Sequence, residues 1–96
     1  MIKTILATGG LGFIGSHTCI SLLENNFNVY IVDSLINSSK DNFVAIKKIS
    51  NLLNDSSKER ISFFEGDILD KSFLRNIFEK AKLEHNPILA VLHFAG

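Results

Sequence analysis

Cysteine is nearly missing from the chain: Cys19 stands alone, so no internal disulfide can brace the fold, and a reducing compartment is expected. Charge of one sign is missing as well. Ten basic and ten acidic side chains balance without clustering, which removes the electrostatic footprint that nucleic acid or an anionic membrane surface requires. No apolar run is long enough to span a bilayer, and the N-terminus lacks the basic head and small-residue cleavage site of a secretory signal. A cytoplasmic location, with no membrane and no nucleic-acid partner, is the expectation. No segment repeats at a fixed period or falls to low complexity. His17, His85 and His93 lie on three separate elements, none with a second ligand at metal spacing, so no metal is expected.

What remains is 46% apolar and 21% charged over 96 residues, enough for one core and short of a domain with a partner domain. Residues 2–7 are apolar and largely β-branched, the pattern of a short buried strand. Ile14, Thr18, Leu22 and Leu23 recur at helical spacing and predict a helix over residues 13–25. A second buried strand, "NVYIVD", ends at Asp33. Val44, Ile46, Ile49, Leu52 and Leu53 predict a helix over residues 42–53, and residues 54–59 read as a flexible insertion. "RISFFEGD" supplies a third strand. Asp70 is an N-cap for a helix with the stripe Phe73, Leu74, Ile77, Phe78 and Ala81, closed by Pro87. "ILAVLHFAG" is nearly all apolar, as a central strand is.

Strands alternating with helices call for an α/β, doubly wound parallel sheet, because parallel strands need long right-handed crossovers. The predicted strand order is 3-2-1-4, an incomplete Rossmann-type sheet, with the ligand crevice above the strand ends where the order reverses.

The glycines sit at that crevice. Gly10, Gly12 and Gly15 satisfy G-x-G-x-x-G, and Gly9, Gly12 and Gly15 satisfy the wider G-x-x-G-x-x-G. Alone, either match is weak. Here the motif leaves a strand, opens a helix, and precedes an acidic strand end near the separation of about 20 residues that dinucleotide sites show. The first glycine lets the chain reverse, the middle one lets a pyrophosphate reach the backbone, and the last lets the helix pack closely on the strand. Unpaired N–H groups at the helix start then face the phosphates. The Asp33 carboxylate suits both hydroxyls of an adenosine ribose and repels a 2′-phosphate, which favours NAD over NADP. Asp67 lies at the same sheet edge, and its spacing leaves two roles open: a receiver for the adenine amino group, or a turn residue ahead of the Asp70 cap. Cys19 reads as a small buried thiol within a helix.

The runs "TGGLGFIGSHT", "VDSLINSS", "FFEGDILD" and "VLHFAG" resemble the extended short-chain dehydrogenase/reductase family and, within it, its UDP-glucose 4-epimerase branch. The likeness runs the length of the chain, across what would be the first third of such an enzyme. It implies that residues 1–96 are the N-terminal part of a dinucleotide-binding domain whose remaining strands and substrate domain are absent. It implies NAD contacts from the Phe13 and Ile14 amides to the pyrophosphate and from Asp33 to the ribose. The loop Ser34, Leu35, Ile36, Asn37 and Ser38 would wrap that ribose and the nearby phosphate. Asp67 and Ile68 would border the adenine, and Phe94, Ala95 and Gly96 would line the path to the nicotinamide. Two positions depart from the family pattern, which commonly has asparagine at Ser34 and tyrosine at Phe13; a backbone contact tolerates both.

The same resemblance implies interconversion of UDP-glucose and UDP-galactose through a 4-keto sugar, a UDP-sugar substrate for the full-length enzyme, and leaves a homodimer open. Family chemistry uses a serine or threonine and a tyrosine followed four residues on by lysine. The one tyrosine here, Tyr30, is followed by Ser34 at that spacing, so no catalytic residue is assigned and the chain alone is expected to be inactive. A nucleotide-sugar dehydratase or decarboxylase of the same family, or a non-catalytic dinucleotide sensor, are the alternative readings.

Overall fold

The computed structural model describes residues 3–36, 38–53 and 60–94. Along it run β1 (Thr4–Thr8), α1 (Phe13–Glu24), β2 (Asn28–Asp33), α2 (Lys40–Leu53), β3 (Ile61–Glu65), α3 (Lys71–Leu83) and β4 (Ile88–His93). The strands form one parallel sheet in the order β3-β2-β1-β4, as the alternation predicts. Residues 54–59, read from the sequence as an insertion, and Ile2, read as the start of the first strand, lie outside the described residues.

Alternation of side chains along the strands feeds two cores. Ala7, Val29, Ile31 and Ile61 face α1 and α2, where they meet Leu11, Cys19, Leu23 and Ile46. Leu6, Tyr30 and Val32 face the other way and meet Ile77 and Ala81 of α3. Helices therefore cover both faces of the sheet, which is why β1 and β2 are buried almost throughout.

Helix ends are set by specific partners. The Asp70 side chain accepts the Phe73 N–H at 3.1 Å, so the predicted N-cap of α3 is present. At the other end His85 turns left-handed at φ 60° and the Asn86 N–H returns to Ala81 O. The C-terminus of α1 closes in the same way: Asn26 stands at φ 66° and the Phe27 N–H reaches Leu22 O. Beneath it the buried Arg60 guanidinium donates to Leu23 O at 3.0 Å and Phe27 O at 2.7 Å, a cation answering the negative end of the helix.

Four expectations about faces are corrected. In α1 the buried stripe is Gly15, Cys19 and Leu23, and Ile14 is exposed: the glycine that lets the helix sit close carries no apolar signal, so the spacing pointed one residue early. In α2 Ile46 and Ser50 face inward while Val44 and Leu52 face out; the Leu53 side chain lies outside the described residues. In α3 Phe78 is largely exposed, because Ile77 and Ala81 already define the contact line. Finally β4 stands at the sheet edge where the predicted order puts it, pairing only with β1 among the described residues, but its apolar run is not buried as expected: Leu89 and Val91 are 56% and 48% exposed. A continuous apolar run signals a strand suited to burial on both faces. It does not say which segment supplies the cover.

Candidate functional site

A cleft of about 390 Å³ opens over the C-terminal ends of β1, β2 and β3, within the range of small-molecule sites. Gly9 and Gly12 form its floor, Asp33, Ser34, Ile36 and Ser38 one wall, and Asp67, Ile68 and Phe94 other parts of the lining. Nine residues singled out from the sequence thus meet around one space.

The glycine loop is a tight crossover from strand to helix. Gly9 stands at φ 70°, a conformation that costs an L side chain, and its N–H is held by Val32 O at 2.7 Å. Gly12 caps α1 without a side chain and no acidic residue stands in the first turn. The first helical bond runs from Ser16 N–H to Gly12 O at 2.8 Å. The amides of Phe13, Ile14 and Gly15 precede it, so they are the orphan donors of the helix start, next to the positive end of its dipole. A Cβ on Gly12 would meet only Gly9 O, at 3.5 Å, so the space over this residue is left open by the protein. That cradle fits a diphosphate.

Gly15 does its work elsewhere than expected. A Cβ there would stand 2.4 Å from Gly9 O and 2.9 Å from Gly10 Cα, so the close approach is between α1 and the glycine loop itself. Close packing on the sheet belongs to Gly10, whose Cβ would fall 2.9 Å from Ile31 Cγ2.

Asp33, nearly buried, accepts three hydrogen bonds: Leu11 N–H on Oδ2 at 3.0 Å, and Leu35 N–H and the Ser38 hydroxyl on Oδ1 at 2.9 and 2.8 Å. The carboxylate therefore ties the glycine loop to the loop after β2, and both loops shape the cleft. Leu35 adopts φ 65°, unusual for a bulky residue, and its side chain packs against the core shared by α1 and α2. Lys40, just beyond this loop, pairs with Glu65 at 3.6 Å on the surface. Asp67 makes the turn contact that spacing left open, accepting the Leu69 N–H at 2.9 Å, and it also lines the cleft.

On the opposite side of the switch point, Phe94 N–H is bound by Thr8 O at 2.7 Å, and the Thr8 hydroxyl meets His93 Nδ1 at 2.6 Å. Phe13 and Ile14 do not line the cleft, and their side chains are exposed, consistent with a role for their amides alone. Asn37, Ala95 and Gly96 lie outside the described residues.

Sequence reasoning missed Val32, Gly66 and Leu69, which also line the cleft. Gly66 was legible in principle: it follows a strand, and a Cβ there would collide with the Phe73 ring at 2.5 Å. The Asn42 amide, which donates to Leu11 O at 2.7 Å and ties α2 to the glycine loop, carried no local signal.

Other reactive groups stand apart. Burial pushes the Cys19 thiol up to about 12, which suppresses the thiolate. Tyr30 points into the α3 core, donates to Glu84 Oε1 at 2.9 Å, and is pushed up to about 12 by burial and then by that carboxylate. Among the described residues no three His, Cys, Asp or Glu side chains gather as a metal site would require.

Residues 6–96 match the family described as GDP-mannose 4,6 dehydratase. The chain belongs to that family. It is also similar to UDP-glucose 4-epimerases: the protein of that name from Yersinia enterocolitica is 43% identical over 93 residues, covering 97% of this chain and 24% of the relative. The fold also superposes on the UDP-glucose-4-epimerase of Stenotrophomonas maltophila, solved with NAD and formylated UDP-arabinopyranose (TM-score 0.81, 34% identity, 98% of this chain and 24% of that one). A second match is the Bifidobacterium longum UDP-glucose 4-epimerase in complex with NAD+ and UDP (TM-score 0.70, 33% identity, 98% and 24%). This chain thus spans about a quarter of the length of the relatives it matches.

Proposed function

We propose that residues 1–96 are the N-terminal NAD-binding part of a UDP-glucose 4-epimerase, the remaining strands and the substrate domain lying in the rest of that protein. The observation that carries this reading is a single cleft lined by Gly9, Gly12 and the Asp33 carboxylate, with the orphan amides of Phe13, Ile14 and Gly15 following directly on Gly12 at the helix start. A dinucleotide is the ligand that needs an anion cradle and a diol acceptor side by side. Relatives solved with NAD in the same fold support it. The family's description names a dehydratase, yet the 43% identical relative is an epimerase, which ranks epimerisation of a UDP-sugar above dehydration.

In this reading Gly9 and Gly12 admit the pyrophosphate, and the Phe13 and Ile14 amides bind it. Asp33 holds the adenosine ribose, and the loop Ser34, Leu35, Ile36, Asn37 and Ser38 wraps that ribose and the nearby phosphate. Asp67 and Ile68 border the adenine, and Phe94, Ala95 and Gly96 lead toward the nicotinamide. Bound NAD supplies a hydride acceptor and donor for the sugar carbon, which lets UDP-glucose and UDP-galactose interconvert through a 4-keto sugar. The chain's own residues position and shield; none is assigned as acid or base. The partner is a UDP-sugar, a homodimer of the full-length protein belongs to the same reading, and the proposed location is cytoplasmic. No helix among the described residues is long and apolar enough to cross a membrane.

The test is conversion of UDP-galactose to UDP-glucose by the protein that carries residues 1–96, with NAD content measured alongside. Activity lost in Asp33→Ala together with bound NAD supports the reading. Wild-type protein that binds NAD but releases water from the nucleotide sugar would move the assignment to a dehydratase.

A further inference from the structure

The acceptor capacity of Asp33 carries a further step, which rests on the NAD reading of the cleft. A carboxylate offers about four acceptor positions, two on each oxygen. Leu11 N–H takes one on Oδ2, and Leu35 N–H and the Ser38 hydroxyl take both on Oδ1. A ribose diol that chelates a carboxylate places one hydroxyl on each oxygen. Oδ2 has room and Oδ1 has none.

One of the two Oδ1 donors has to leave. The Leu35 N–H is fixed by the backbone of a turn held at φ 65°. The Ser38 hydroxyl sits on a single rotor and lines the same cleft, so one side-chain rotation releases it. We propose that Ser38 is a specificity-determining residue whose hydroxyl holds the Oδ1 position that one hydroxyl of the adenosine ribose takes on binding. Binding is then an exchange of one O–H donor for another at a charged acceptor. The ribose hydroxyl gains little over the serine it displaces, and an analogue lacking that hydroxyl loses little, because Ser38 stays in place.

Removing the serine hydroxyl reverses this. In Ser38→Ala the Oδ1 position waits for the ligand, so NAD binds about 3- to 10-fold more tightly, and the penalty for a missing ribose hydroxyl grows to about 10-fold or more. The experiment measures, by calorimetry on the protein that carries residues 1–96, the affinities of NAD and of analogues lacking the adenosine 2′- or 3′-hydroxyl. Wild type, Ser38→Ala and Ser38→Thr are compared, with circular dichroism to verify folding. For the analogue lacking the hydroxyl that meets Oδ1, the expected result is discrimination below about 5-fold in wild type, sharpened in Ser38→Ala and returned to the wild-type ratio in Ser38→Thr. Weaker NAD binding by Ser38→Ala, or an unchanged ratio for both analogues, overturns the exchange while leaving the NAD reading intact. Wild-type protein that binds no NAD overturns both.

Discussion

The Leu11 amide donates to Asp33 Oδ2 at 3.0 Å, joining the glycine loop to the end of β2 across 22 residues of sequence. One carboxylate thereby positions the phosphate cradle and the ribose wall in a single frame. Because it is nearly buried, deleting it strands the amides it satisfied.

Asp33→Ala is therefore expected to act on stability as well as on NAD. Losing hydrogen bonds to a charged acceptor costs about 1.5–3 kcal/mol each when the donors are left without partners, partly relieved by water. Chemical denaturation should show a drop of about 2–4 kcal/mol, alongside loss of NAD binding. Asp33→Asn should recover part of the stability and little of the affinity.

Gly15→Ala tests the close approach between α1 and the glycine loop. A Cβ 2.4 Å from Gly9 O forces backbone to move, since neither partner is a flexible side chain. Overpacking of this kind costs about 1–3 kcal/mol, and the shifted loop should misplace the amides of the helix start. Gly12→Ala meets only an ordinary contact at 3.5 Å, so its stability should change little while NAD affinity falls. Comparing melting temperature with affinity for the two variants separates packing from ligand access.

Tyr30 gives the fold an alkaline weakness. Its folded pKa is pushed from 10.0 up to about 12, so the neutral phenol is favoured in the native state. Its contribution is fully present below pH 10 and is lost as pH rises from 10 toward 12. Cys19, pushed from 9.0 up to about 12, acts in an overlapping window. Stability measured across that alkaline range should fall less steeply in Tyr30→Phe than in wild type. The difference should be about 1–2 kcal/mol at the top of the range.

β4 predicts behaviour in solution. It exposes Leu89 and Val91 beside a strand edge that pairs with nothing else among the described residues. Such an edge is a template for pairing with another chain. The 96-residue polypeptide alone should self-associate on light scattering at micromolar concentration, and Val91→Lys should suppress it.

The strand order, the crossover at the glycines and the Asp70 cap were legible because each rests on local chemistry: apolar runs, a backbone that must turn, a carboxylate three residues ahead of an amide. The inward faces of the helices were less so. Gly15 and Ser50 are buried without being hydrophobic, so a stripe counted on apolar residues drew Ile14 and Leu52 inward in their place. Asp33 was found, yet its bonds to Leu11 and Ser38 were not, since they depend on where two loops meet. Spacing left Asp67 undecided between turn and cleft, and the folded chain uses it in the turn while also facing the cleft.

Leu35 combines a torsion angle that suits glycine with a side chain seated in the core. Glycine at this position would relax the backbone and lose the apolar anchor. A valine or isoleucine would keep the grease and find the angle closed to it. The position therefore admits few residue types, and the wall of the cleft inherits its rigidity from that narrow choice.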